Sequence, residues 1–164
     1  MKKDKLYLRM AFVWAENSYA IRRQVGCLIV KDGMIISDGY NGTPSGFANV
    51  CEYAVNAVDK NDVVECETPA QLKELSTHGF NLVTYPIVLH AESNAITKLA
   101  KSNNSSIGAT LYVTDEPCLE CSKLIIQAGI KRVVYARDYK THAGTDLLKK
   151  ANIEVINIPI DELN

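Results

Sequence analysis

The sequence predicts a single α/β domain over residues 1–164, and three observations lead to this fold class. The length of 164 residues is typical of one domain with one hydrophobic core. Two apolar runs, at 25–30 and 34–38, flank an Asp-Gly turn at 31–33, which indicates a hairpin. From residue 90 onward helical and strand patterns alternate, which predicts crossover helices and a sheet that is parallel in that region.

The predicted elements follow in order along the chain. Residues 4–18 carry apolar side chains at helical spacing, with Asp4 as the expected N-cap. The hairpin strands are apolar at nearly every position, so both of their faces should be covered. The second half of the chain alternates three helices with three strands: helices 90–102, 118–129 and 144–152, and strands 108–116, 131–138 and 153–160.

The middle of the chain is the least regular part. One short helix is expected there, with Thr68 as N-cap, Pro69 in the first turn, Gln71 completing a capping box and Gly79 as the stop. A stretch of this length is too long for a passive connection, so about 51–89 is interpreted as a functional insertion.

Composition narrows the classes of function. The formal net charge is −1, without the basic excess typical of proteins that grip a long nucleic acid. No apolar run approaches the roughly 20 residues of a membrane span. Five cysteines, an odd number, without an export signal argue against a disulfide framework. We therefore expect a cytoplasmic protein that acts on a small ligand.

A Cys-x-x-Cys pair carries the clearest chemical signal. Cys118 and Cys121 would share one face at the start of a helix that begins after Pro117, where the helix dipole stabilises thiolates. Such a pair alone fits a redox dithiol, a structural zinc site or a catalytic metal centre. His90 supplies a third ligand upstream, and Glu92 lies two residues after it.

This ligand set favours a catalytic zinc. Two thiolates and one imidazole fill three tetrahedral positions, and a water with a pKa near 7 takes the fourth. Glu92 would stand beside that water as the proton shuttle. A redox dithiol needs neither His90 nor Glu92, and a structural zinc has no use for Glu92. The H-x-E and P-C-x-x-C pattern is that of zinc nucleobase deaminases.

Longer pieces of sequence resemble a narrower family. "VGCLIV", "GYNGTPSG", "HAESNAI", "PCLECSKLIIQAGIKRVVY" and "YARDY" look like the deoxycytidylate (dCMP) deaminases, especially those of phages. The resemblance implies the cytidine-deaminase fold, a three-layer α-β-α arrangement around a mixed five-stranded sheet whose last two strands are parallel. It also implies zinc-dependent hydrolysis of dCMP to dUMP and ammonia, which feeds dTMP synthesis.

The resemblance also assigns residues. His90, Cys118 and Cys121 would bind the zinc, and Glu92 would protonate N3 of cytosine and then the departing ammonia. In the substrate site, Asn41 would bind the sugar, the backbone of Ala91 would orient the base, and Tyr139 would stack on the pyrimidine. The residues themselves leave alternatives, because an asparagine also suits a turn and a tyrosine also packs.

Regulation and assembly are further implications of the resemblance. Family members are commonly homohexamers that dCTP activates and dTTP inhibits, and Mg²⁺ can accompany a regulatory triphosphate. Their effector site uses the "GYNG" loop, here Gly39, Tyr40, Asn41 and Gly42. A tight turn that needs glycine for its dihedral angles is the alternative explanation.

Some phage members hold a second, structural zinc. The candidates here are Cys27, Cys51, Cys66 and His78, but they are scattered and not paired as C-x-x-C, so a second zinc is not favoured. Cys27, in an apolar strand, is most simply a small buried hydrophobe. His142 has no partner recognisable from the sequence.

Rival functions remain at this stage. The substrate could instead be dCTP, cytidine or a tRNA adenosine, and a non-catalytic zinc-stabilised binding module is a rival of another class. Glu92 argues against the binding module, and the charge balance argues against the tRNA. Four basic residues are candidates for phosphate contacts: Arg22, Arg23, Arg137 and Lys140.

Overall fold

Helices and strands alternate along most of the chain in this computed structural model, which describes residues 2–163. The strands in that range are β1 (Gly26–Lys31), β2 (Met34–Tyr40), β3 (Glu52–Asn56), β4 (Val63–Val64), β5 (Phe80–Thr84), β6 (Thr110–Asp115), β7 (Arg132–Arg137) and β8 (Glu154–Asn157). The α-helices are α1 (Lys2–Ala15), α2 (Pro69–Ser76), α3 (Ala91–Leu99), α4 (Leu119–Gln127) and α5 (Ala143–Lys150), followed by a 3-10 helix at Ile160–Leu163.

A mixed five-stranded sheet in the order β2-β1-β6-β7-β8 forms the centre of the structure. β1 pairs antiparallel with β2 and β6, whereas β6, β7 and β8 run parallel. The crossover helices α4 and α5 make these parallel connections possible. α1 covers one face, and α3, α4 and α5 cover the other. This confirms the predicted three-layer α-β-α arrangement with its last two strands parallel.

Buried apolar side chains fill the space on both sides of the sheet. Leu8 of α1 packs with Leu28 on one side, and Ala95, Ile125 and Leu148 from three helices pack on the other side. Every residue of β1 except the last is buried, as predicted for a strand covered on both faces. β2 departs from that prediction, because its first residues are exposed at the edge of the sheet.

Asp4 is not the N-cap of the first helix, so that prediction is wrong. α1 begins at Lys2, which places Asp4 inside its first turn, where it is buried. Its carboxylate accepts hydrogen bonds from the Tyr112 hydroxyl at 2.8 Å and from Arg132 Nη1 at 2.6 Å. The Arg132 guanidinium holds the pKa of Asp4 well below its usual range. Asp4 therefore ties α1 to two strands of the sheet.

The middle of the chain contains more structure than the sequence indicated. The capping box of Thr68 and Gln71 at the start of α2 is confirmed, as is Pro69 in the first turn. Gly79 follows the helix with φ at +83°, a conformation that favours glycine. A second, antiparallel sheet in the order β4-β3-β5 lies here, and the sequence did not predict it. The predicted insertion thus contains a small sheet with α2 against it.

A close approach between β2 and α3 depends on Gly39. A Cβ atom at this position would lie 2.2 Å from the Ala91 carbonyl oxygen and 2.6 Å from the Ala95 amide nitrogen. Because these atoms belong to the helix backbone, a larger residue would push α3 away from the sheet. This contact fixes the start of α3, where two predicted site residues lie.

The helices are short or carry charged side chains along their length. Among residues 2–163 none combines the length and apolar character needed to cross a bilayer.

Candidate active site

His90, Cys118 and Cys121 converge at the starts of two helices. His90 is the N-cap of α3, and Cys118 is the N-cap of α4. The Nδ1 atom of His90 lies 3.5 Å from the Cys118 sulfur and 3.4 Å from the Cys121 sulfur. Within residues 2–163 this is the one group of three or more His, Cys, Asp or Glu side chains whose ligand atoms lie close enough to share a metal ion.

The three ligand atoms fit a tetrahedral zinc. Zinc bonds of about 2.3 Å to sulfur and about 2.0–2.1 Å to nitrogen place those two atoms roughly 3.5 Å apart at tetrahedral angles. The observed separations of 3.4 and 3.5 Å match that value. With three protein ligands, one position is left for water or substrate, as in catalytic zinc sites.

Local electrostatics favour the ionised form of one thiol. Hydrogen bonds from Cys121 and His90 outweigh burial and lower the pKa of Cys118 to about 3. The Cys118 sulfur also accepts from the Cys121 amide, in the first turn of α4, at 3.5 Å. The pKa of Cys121 is raised, first by its neighbour's thiolate and then by burial. The helix start thus supplies one ready anionic ligand, and a cation would stabilise the second.

Glu92 is a buried carboxyl group in the first turn of α3, only 4% exposed. Burial raises its pKa to about 7, although the nearby His90 partly opposes this shift. A carboxyl group with such a pKa takes up and releases protons near neutral pH, which suits a general acid–base catalyst. Glu92 and His90 line the same cleft.

The cleft also brings the predicted substrate residues together. It has a volume of about 480 Å³, and Asn41, Ala91 and Tyr139 line it. The side chain of Asn41 accepts a hydrogen bond from the Val25 amide and donates one to the Arg23 carbonyl, both at 2.8 Å. It therefore also holds in place the segment that precedes β1. Tyr139 is 43% exposed at the surface of the cleft, where a ring could cover a bound base.

The "GYNG" residues divide between different surroundings. Gly39 packs against α3, whereas Tyr40 and Gly42 line a second cleft of about 440 Å³ together with Lys98. The amides of Asn41 and Gly42 donate to the carbonyls of Val25 and Leu89, each at 3.1 Å. These two amides therefore already donate to carbonyls of the protein and are not free to bind a phosphate.

Glu116 is a buried carboxylate that the sequence did not identify as a site residue. It accepts hydrogen bonds from the Tyr139 amide at 3.0 Å and the Thr145 hydroxyl at 2.6 Å, and His142 Nδ1 lies 3.0 Å away. It therefore anchors the loop that carries Tyr139, and it is the partner that His142 lacked in the sequence. The one available signal was a glutamate between a buried strand and Pro117.

The ligand atoms of the four candidates for a second zinc do not lie close enough together to share a metal ion. Cys27 lies in the main core, where burial raises its pKa. Cys51 packs with Ala20 and Val88, and burial raises its pKa to about 11. The remaining two, Cys66 and His78, line a separate cleft beside α2. Burial in these apolar surroundings favours the neutral thiols of Cys27 and Cys51.

The basic residues near the cleft differ in their partners. Arg23 pairs with Asp115 at 2.5 Å, and Arg137 pairs with the same carboxylate. Arg22 and Lys140 line the cleft, and neither forms a salt bridge within the described range. These two residues are therefore the positive charges available to a ligand.

Comparison with known proteins gives concordant results. Residues 1–137 match the sequence model described as the cytidine and deoxycytidylate deaminase zinc-binding region. The chain is 37% identical to the deoxycytidylate deaminase of Enterobacteria phage T4, with 99% of this chain and 93% of the relative aligned. It is 32% identical to ComE operon protein 2 of Bacillus subtilis, over 98% of this chain and 73% of the relative.

A solved structure is similar over nearly the same length. The dCMP deaminase of cyanophage S-TIM5, crystallised in complex with dCMP and dUMP, superposes with a TM-score of 0.74 at 37% identity. The match covers 94% of this chain and 95% of the phage enzyme.

Proposed function

The chain belongs to the cytidine and deoxycytidylate deaminases and is thus a hydrolytic deaminase, and we propose that it converts dCMP to dUMP and ammonia. The observation that carries this proposal is the convergence of three zinc-ligand atoms beside a buried carboxyl group in one cleft. The phage T4 relative is named for this activity, and the S-TIM5 enzyme was crystallised with both dCMP and dUMP.

The roles of the residues follow from their positions. His90, Cys118 and Cys121 would hold zinc, which when bound lowers the pKa of a water to about 7. Glu92 accepts a proton as the water's oxygen bonds to C4 of cytosine, and it delivers that proton to N3. Glu92 then takes the remaining proton of the former water from the C4 hydroxyl and passes it to the amino group, which leaves as ammonia while the C4 carbonyl forms. A pKa near 7 suits both directions of transfer.

The predicted substrate contacts are part of the proposal. Asn41 binds the sugar, the backbone of Ala91 orients the base, and Tyr139 stacks on the ring. All three line the cleft that contains Glu92. Glu116 supports the stacking because it holds the Tyr139 amide.

Ammonia release from dCMP, dCTP, deoxycytidine and cytidine, measured in parallel, tests the substrate. We expect the highest kcat/KM for dCMP. A higher value for dCTP or for either nucleoside would contradict the proposed substrate, and no release from any of the four would contradict the reaction. A parallel assay with a tRNA adenosine substrate covers the remaining branch of the superfamily.

We also propose regulation at the second cleft, where dCTP would activate and dTTP would inhibit, with Mg²⁺ accompanying the triphosphate. Tyr40, Gly42 and Lys98 line this cleft and support the idea. Because the Asn41 and Gly42 amides already donate to carbonyls of the protein, phosphate contact would fall to Lys98, which would have to exchange its present partner Asp38, 2.6 Å away. Turnover of dCMP measured with and without dCTP tests this regulation, and an unchanged rate counts against it.

The homohexamer and the cytoplasmic location stay predictions, and gel filtration with light scattering tests the oligomeric state.

A further inference from the structure

Glu52 is a buried carboxylate that belongs to the insertion but lines the catalytic cleft. It is 1% exposed and accepts hydrogen bonds from two backbone amides between α1 and β1. The Ile21 amide donates at 3.1 and 3.2 Å to its two oxygens, and the Arg22 amide donates at 3.1 Å. Because a buried charge is costly without such donors, these contacts fix the Arg22 main chain against β3.

Thr84 holds the side chain of the same arginine. It lies directly opposite Glu52 in the pairing of β3 with β5. Its hydroxyl oxygen accepts a hydrogen bond from Arg22 Nη1 at 3.2 Å. Two neighbouring residues at one end of the insertion sheet thus hold Arg22, one by its backbone and one by its guanidinium.

Arg22 differs from the other arginines near the cleft in having a neutral side-chain partner. Arg23 and Arg137 are both paired with Asp115. Glu52 binds the main chain of Arg22, so its charge is satisfied by amides and not by the guanidinium. A guanidinium has five N–H donors, and most of those on Arg22 remain available to an anion. Its planar fork matches the oxygens of a phosphate.

We propose that Glu52 and Thr84 are positioning residues that hold Arg22 against the 5′-phosphate of the substrate. The insertion would then make the enzyme select a nucleotide over a nucleoside, while the deamination chemistry stays with α3 and α4. This inference rests on the proposed function, because it assumes a cytosine nucleotide in the cleft. The cleft volume of about 480 Å³ lies within the range for small-molecule sites.

The test compares kcat/KM for dCMP and deoxycytidine in the wild type and in Arg22→Ala. For dCMP we expect kcat/KM to fall by about 10- to 100-fold, mainly through KM, because the variant loses a hydrogen bond to a charged group. The value for deoxycytidine should stay within about twofold. Arg9→Ala, which removes an exposed charge on α1, is the matched control and should change neither. Equal losses for both substrates, or no loss for dCMP, would overturn the inference.

Thr84 provides the test of positioning. Thr84→Val removes the acceptor at nearly constant volume and should lower kcat/KM for dCMP by about 2- to 10-fold. Thr84→Ser keeps a hydroxyl and should retain most of the wild-type kcat/KM for dCMP. Glu52→Gln should lower the dCMP value by about 10-fold with the same selectivity. If Glu52→Gln does not fold, the Thr84 pair still decides the matter, because identical kinetics in Val and Ser variants would overturn the role of Thr84.

Inhibition constants give a second readout that does not need nucleoside turnover. The Ki of dUMP against dCMP should rise in Arg22→Ala, whereas the Ki of deoxyuridine should not. Wild-type kinetics distinguish a failure of the proposed substrate from a failure of this inference. If it turns over deoxycytidine and dCMP equally well, the proposed substrate fails. If it prefers dCMP and Arg22→Ala keeps that preference, only this inference fails.

Discussion

The carboxylate of Glu116 lies 3.0 Å from Nδ1 of His142, at the base of the loop that carries Tyr139. Glu116 is buried, whereas the His142 side chain is 65% exposed. The hydrogen bond and charge of Glu116 raise the pKa of His142 above its ordinary value of 6.5. The pair therefore ties the loop more firmly when the imidazole is protonated.

This contact predicts a pH-dependent stability difference between the wild type and His142→Asn. A raised pKa in the folded state means that the stabilisation is present in full below about pH 6.5. It is lost as the pH rises through the folded-state pKa. Thermal unfolding from pH 5.5 to 8.5 should therefore show the largest difference in Tm at the acid end. In a Glu116→Gln background the difference should not vary with pH, and a constant difference in the wild-type background would refute the assignment.

Glu92→Gln should separate fold from chemistry. The amide keeps the size of the buried side chain but cannot carry the proton, so we expect a loss of roughly 10²–10⁴-fold in kcat. Zinc content and Tm should remain close to the wild type. Glu120→Gln, which changes an exposed carboxylate in the first turn of α4, is the control and should keep full activity. Unchanged turnover in Glu92→Gln would disprove its role as the proton shuttle.

Metal analysis should give one zinc per chain. Cys121→Ser should lose this zinc together with activity and should unfold at a lower temperature, because metal binding stabilises the folded state. A chelator should have the same effects on the wild type. Cys66→Ser, at a half-buried cysteine beside α2, should retain one zinc and full activity. Two zinc ions per chain in the wild type would contradict this stoichiometry.

Gly39→Ala should disturb the active site without touching a ligand. The added methyl group would meet the backbone of α3 at 2.2 and 2.6 Å, so the helix must move. We expect a loss of about 1–3 kcal/mol in the free energy of unfolding, typical of overpacking, and a fall in kcat. Gly42→Ala is the contrasting variant, since the nearest neighbour of its added methyl group would be a Tyr40 ring atom at 3.9 Å. Equal stability of the two variants would contradict the packing role of Gly39.

The sequence predicted what depends on short-range spacing. Cys118 with Cys121, His90 with Glu92, and the capping box of Thr68 each lie in a short motif, whose members are close together because they are close in sequence. The alternation of helices and strands after residue 90 likewise indicated the parallel half of the sheet. The meeting of His90 with the two cysteines, 28 and 31 residues further along the chain, was instead expected from the pattern shared with zinc deaminases.

What the sequence did not predict depends on contacts between distant residues. Asp4 resembled an N-cap, but its partner Arg132 lies 128 residues away. Glu52 and Glu116 are buried because backbone amides and side chains from other segments satisfy them. The strands β3, β4 and β5 are short and only partly buried, so their pattern of apolar residues was too weak to identify.

The separate sheet of the insertion has an implication for protein engineering. It is hydrogen-bonded as a sheet of its own, yet one end of it reaches the cleft through Glu52 and Thr84. Residues 52–84 therefore form a cassette whose exchange between relatives should leave the deaminating centre intact. We expect such grafts to change the preference for nucleotide over nucleoside through the placement of Arg22, which lies outside the exchanged segment.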